Sequence, residues 1–228
     1  MNVKSYVLGE VAVFVNADEL LPQRTIDMPA SLAALAQQYR FAVSPQPSDP
    51  VEKIRDRGLR FEKGRFKLKG DEKNIQDFAL WSDGLLVTAF TTDDAEAFLE
   101  DCLTWGKEQL GLRLTLSDLR LRKYRSQVVV ESDQALTRMA TSFDSICNAY
   151  NLLLRTTYDQ EFPKTQVESI TMNFDRAVAP AAFQNFSPFV IEKRENHRHT
   201  DNVFFSSAPL RTPDHVQLLE TFERLLSS

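Results

Sequence analysis

One helical phrase is written twice in this chain. Thr92-Asp93-Asp94-Ala95-Glu96-Ala97-Phe98-Leu99-Glu100 and Thr212-Pro213-Asp214-His215-Val216-Gln217-Leu218-Leu219-Glu220 align without a gap and share Thr, Asp, Leu and Glu. The copies lie 120 residues apart in a chain of 228. Each follows an apolar strand, and each strand follows an Asp-led turn, Asp83-Gly84 or Asp201-Asn202. A unit repeated over about half the chain would set the architecture before any other residue is read. Helix capping offers a second source for the same letters, because Thr and Asp recur wherever a helix begins.

The order of elements carries more weight than the letters. Val3 to Val15 alternates with apolar residues on both sides, which reads as a strand covered on both faces. Asp27 and Pro29 open a helix whose inner face is Leu32, Leu35, Ala36 and Tyr39. Leu59 to Leu68 reads as a strand or a tight hairpin turning at Lys63-Gly64. Ile75 to Trp81 and Leu85 to Thr91 form a hairpin whose Asp83-Gly84 suits a type I′ turn. Thr92 or Asp93 caps the next helix, with Glu96 closing a capping box, and Gly111 ends it.

The second half repeats that order. A strand runs from about Leu119 to Val130, and Ser132 caps a helix striped by Leu136, Met139, Ala140, Phe143, Cys147, Tyr150 and Leu154. Thr165 to Phe174 is a strand, Phe189 to Glu195 and Asn202 to Ser207 a hairpin, and Thr212-Pro213 starts the last helix. The expected fold is α+β: an antiparallel sheet with helices packed on one face, in two pseudo-repeated β-α-β(2–4)-α halves. The halves are 1–112 and 113–228, forming one compact unit.

Several chemistries are missing. None of the seven glycines builds a phosphate-cradling loop, and Gly64 to Gly70 lacks the Lys-Ser/Thr ending of a P-loop. No dinucleotide fingerprint, zinc-protease helix or nucleophile elbow occurs. Two cysteines, Cys102 and Cys147, fall on apolar helix stripes, where a free thiol behaves as a small hydrophobe. The longest apolar run, near Val11 to Val15, is far shorter than a membrane span needs. These features imply a cytoplasmic protein with no cofactor and no membrane partner.

Charge is distributed in blocks. Val51 to Gly70 holds eight basic and three acidic residues, net +5, while Asp71 to Asp101 holds nine acidic and one basic, net -8. Arg65, Lys67 and Lys69 share one strand face, and Arg120, Arg122 and Lys123 lie on or near another. With Phe61, Phe66 and Tyr124 beside them, they make a candidate nucleic-acid surface. A second candidate is the hairpin tip, where Glu195, His197, His199 and Asp201 alternate as metal ligands would on an extended strand.

These residues support three expectations. The first is a non-catalytic binding or assembly protein acting through protein–protein contacts, oligomeric, with a protein partner or a copy of itself. The second is a nucleic-acid-binding clamp or saddle using a basic sheet face. The third, weakest, is a metal-dependent hydrolase built on residues 195–201.

Overall fold

The computed structural model describes residues 1–21, 27–46, 58–119, 121–133, 144–158, 167–173, 175, 186–194, 197 and 201–227. Eight strands and five helices follow one another as β1 (Asn2–Phe14), α1 (Ala17–Leu20), α2 (Met28–Gln38), β2 (Leu59–Leu68), β3 (Asp71–Trp81), β4 (Gly84–Ala89), α3 (Thr92–Leu110), β5 (Arg122–Glu131), α4 (Asp144–Tyr158), β6 (Ser169–Met172), β7 (Phe189–Lys193), β8 (Val203–Ala208) and α5 (Thr212–Ser227). The strands form one antiparallel sheet, hydrogen-bonded in the order β2-β3-β4-β1-β5-β8-β7-β6. The fold is α+β, as the element order implies.

Contacts divide the chain into two units. The larger comprises Tyr6–Ser126 and Leu210–Thr212; the smaller comprises Met1–Ser5, Gln127–Pro209 and Pro213–Ser228.

In the larger unit β1 directs Gly9, Val11 and Val13 into the core, followed by Val15 just past its end, and turns Leu8, Glu10, Ala12 and Phe14 the other way. Two-sided cover is therefore wrong for this strand: Tyr6 and Phe14 are 44% and 41% exposed. An apolar residue on the outer side of a strand is not proof of burial, because much of any protein surface is apolar. The core is built around Phe98 of α3, whose ring meets Tyr39, Phe41, Phe66 and Phe78 edge-on at 4.9–6.2 Å between centroids. Such edge-to-face contacts are the favoured geometry for aromatic pairs.

Local sequence sets the start of α2 as expected. The Asp27 carboxylate accepts from the Ala30 N–H at 3.1 Å, and Leu35 and Tyr39 are buried. The C-terminus closes as a Schellman motif: Arg40 N–H donates to Gln37 O and Phe41 N–H to Ala36 O. Arg40 takes the left-handed position there, φ 51°, where glycine is the usual occupant. The chain then runs along the outer edge of β2. Arg65 N–H donates to Tyr39 O at 2.7 Å, Ala42 and Val43 donate to Glu62 O, and Glu62 N–H returns to Val43 O.

The turns differ from the sequence reading. Lys63-Gly64 lies inside a single ten-residue strand; Lys63 has φ 57° and marks a change of phase, so Phe61 and Phe66 both face inward. The tight turn comes six residues later, where Lys69 (φ 50°) and Gly70 (φ 96°) join Leu68 to its register partner Asp71. In the next hairpin Trp81 pairs with Gly84, so Ser82-Asp83 makes the turn without positive φ and Gly84 belongs to β4.

α3 begins one residue early. Thr91 is the N-cap, accepting from Asp94 N–H at 3.1 Å, while Gly111 closes the other end in the left-handed region as expected. Thr92 is spent elsewhere. Its hydroxyl accepts from Thr212 N–H at 2.7 Å, and the Thr212 hydroxyl accepts from Thr92 N–H at 3.0 Å. Both threonines are buried. Gly9 of β1 lies against this pair, where a Cβ would fall 2.0 Å from Thr91 C and 2.2 Å from Thr92 N. Glu96 forms no capping box; it holds Arg122 at 2.6 Å, Tyr124 OH at 2.8 Å and Arg211 at 3.1 Å.

In the smaller unit, the Phe189 ring of β7 meets Phe222 and His215 of α5, and His215 and Leu219 are fully buried. The Ser132 hydroxyl donates to Glu223 at 2.7 Å, a carboxylate that also pairs with the Met1 ammonium; the turn that Ser132 is expected to cap lies outside the described residues. The helix expected to follow it is described from Asp144, with Cys147 buried; Leu136, Met139, Ala140 and Phe143 lie outside the described residues. Cys102 and Cys147 are free, buried thiols, as expected. Among the described residues, no helix is long and apolar enough to cross a membrane.

Candidate functional site

Strand register on the outer face of the larger unit brings one residue from each strand into line. Glu62 of β2 pairs with Asp77 of β3, Asp77 with Thr88 of β4, and Thr88 with Glu10 of β1. Arg125 of β5 faces Glu10 electrostatically and completes the row. At the usual strand spacing this polar row is about 19 Å long. The neighbouring row runs Arg60, Ala79, Leu86, Ala12, and the next runs Trp81, Gly84, Phe14. Small residues form a floor between Arg60 at one side and Lys123 at the other, whose ammonium sits 4.8 Å from the Phe14 ring centroid.

The electrostatics of the row are set by partial burial. Burial pushes the Glu10 carboxyl above its ordinary value, with Arg125 opposing and Asp77 adding. Burial also raises Asp77, against the pull of Arg60, whose Nε lies 2.6 Å from its carboxylate. Each shift disfavours a second negative charge in a poorly hydrated place. One donor is left over. Among the described residues, Arg125 Nε is the single buried side-chain nitrogen or oxygen with no hydrogen-bond partner. Burying such a group unpaired costs about 1–3 kcal/mol, and more when charged.

The basic residues singled out by sequence do not share one platform. Arg65 and Lys67 are exposed on β2, Lys69 is in the turn, and Arg120 lies outside the described residues. Arg65, Lys67 and Arg40 line a cleft of about 220 Å³ with Tyr39, Glu72 and Asp101. Glu72 is shared there, 3.5 Å from Arg65 and 3.7 Å from Arg40, while Asp101 accepts from Tyr39 OH at 2.8 Å. Lys123 is on the outer face. Arg122 faces the helix side, held by Glu96 and the carbonyls of Leu116 and Leu119.

At the hairpin tip, His197 Nδ1 is 3.8 Å from Asp201 Oδ2; Glu195 and His199 lie outside the described residues. The setting of His215 on α5 makes it inert. Ser206 Oγ donates to Val190 O at 2.7 Å and lies 2.9 Å from His215 Nε2. A hydroxyl has one proton, so Nε2–H is the donor in that contact. The polarity is opposite to that of a base activating a serine nucleophile. Burial depresses the imidazole to about 4, leaving it neutral near pH 7.

The outer-face row was missed because it contributes one residue per strand. Alternation within each strand gives the correct side, but only the cross-strand register brings Glu62, Asp77, Thr88 and Glu10 together. No protein-family model matches the chain, and no curated protein matches it in sequence.

Proposed function

We propose that this chain is a non-catalytic binding protein that works through protein–protein contact on the outer sheet face of the larger unit. One observation carries the reading: Tyr6, Phe14 and Phe90 are 44%, 41% and 47% exposed on or beside a face already ordered into polar and apolar rows. Aromatic residues are favoured at the buried centre of protein interfaces. The mixed charge of the face fits a protein partner or a second copy better than a polyanion. A cytoplasmic setting without a cofactor belongs to the same proposal, supported by two free thiols.

Sedimentation analysis and in-cell crosslinking of wild type and a Tyr6→Ser/Phe14→Ser/Phe90→Ser variant test it. Complexes formed by the wild type and lost in an equally stable variant support the proposal. A wild type that forms no complex through this face overturns it.

A nucleic-acid clamp draws on a separate observation, the convergence of Arg40, Arg65 and Lys67 at one cleft. Glu72 and Asp101 share that cleft, which makes it the weaker reading. Binding by phosphate contacts would fall steeply from low to moderate salt. We also read the two halves as copies of one unit, supported by the matching element order and by the reciprocal bonds of Thr92 and Thr212.

A further inference from the structure

We propose that the β1–β5 side of the outer face docks a polypeptide segment that brings a carboxylate to the Arg125 guanidinium and an adjoining apolar side chain to the Ala12–Leu86–Ala79 floor. The inference rests on the protein-binding reading above and gives it a partner chemistry.

Three observations converge on it. Arg125 Nε is buried and lacks an acceptor, whereas the other buried side-chain polar atoms of the described residues have one. A guanidinium presents its donors as a planar fork that a carboxylate fills with two parallel bonds. Glu10 stands beside Arg125 yet leaves Nε without a hydrogen bond, so it balances charge without occupying the fork.

The surroundings choose between acceptors. Lys123, two residues before Arg125 on the same side of β5, adds a second cation. Next to these cations, Ala79, Leu86 and Ala12 follow one another in register, with Trp81 and Phe14 one row further on. That is a charged end and an apolar floor, the pattern for an acidic residue next to an apolar one. A nucleic-acid strand, which carries a phosphate at every step, would instead run onto Asp77 and Glu62.

Selection from a phage-displayed library of random twelve-residue peptides on the full chain tests the inference. The selected peptides should carry Asp or Glu next to an aliphatic or aromatic residue. Their affinity should fall at least ten-fold on Arg125→Gln, with partial recovery in Arg125→Lys, while the thermal midpoint of Arg125→Gln is unchanged or raised. Peptides without an acidic position, lost on Phe14→Ser but unaffected by Arg125→Gln, would overturn the inference and leave the protein-binding reading standing. Peptides indifferent to both substitutions would overturn both. Binding of a mixed-sequence twenty-nucleotide single strand that Arg125→Gln abolishes would also overturn it, in favour of phosphate.

Discussion

Acidification should destabilise the smaller unit through one residue, His215. The imidazole is fully buried, donates through Nε2 to Ser206, and has its pKa lowered from 6.5 to about 4 by desolvation. The unfolded chain takes up a proton below about pH 6.5, while the folded chain refuses it until about pH 4. Protons bound in excess by the unfolded state make stability rise with pH. The contribution is therefore complete above pH 6.5 and is lost progressively as pH falls toward 4. At about 1.4 kcal/mol per pH unit, the loss over this window is about 3 kcal/mol. Carboxylates such as Glu223, held below its ordinary value by the Met1 ammonium and by Ser132, also weaken the fold in acid. The measurement is accordingly a difference. Urea midpoints of wild type and His215→Gln, taken from pH 7.5 to 4.5, should converge as pH falls, because only wild type carries the histidine penalty. Parallel curves would refute the claim that His215 is held neutral by burial.

The threonine pair gives a second test. Thr92→Val and Thr212→Val each leave the partner's amide without an acceptor and should cost about 1–3 kcal/mol, with the double variant costing less than the sum; additive losses in denaturant would argue against a reciprocal pair. Gly9→Ala places a methyl against the Thr91–Thr92 backbone and should cost at least about 1–3 kcal/mol, read as a lower thermal midpoint. An unchanged midpoint would mean that α3 does not approach β1 so closely. Arg40→Gly should stabilise by roughly 1 kcal/mol, since it relieves a left-handed backbone. The exposed Arg40–Glu72 pair, at 3.7 Å, contributes little. Lower stability in that variant would reverse the ranking of these two effects.

What could be read from the sequence was local. Asp27 with Pro29, and Gly111, act within one or two helical turns, and each is where its pattern implied. The errors came where distant residues compete. Thr92 looked like a cap, but its hydroxyl accepts from the Thr212 amide 120 residues away. Glycine misled in two turns: Gly64 and Gly84 pack inside strands, against the Phe41 ring and the Val13 carbonyl, and Lys69-Gly70 makes the tight reversal. Of the outer-face cations, the sequence reading named Lys123, as a nucleic-acid contact. Arg125 escaped that reading, because only its position against Glu10 reveals the unfilled donor.

The strip of backbone at residues 39–43 has a consequence for behaviour at high concentration. By occupying the outer N–H and C=O groups of β2 at Glu62 and Arg65, it denies that border to another extended chain. An open border is where sheets recruit further strands and where fibrils are seeded. The middle of this border is paired by the chain itself, in cis. At Glu62 and Arg65, crowding therefore finds these strand-edge groups already paired.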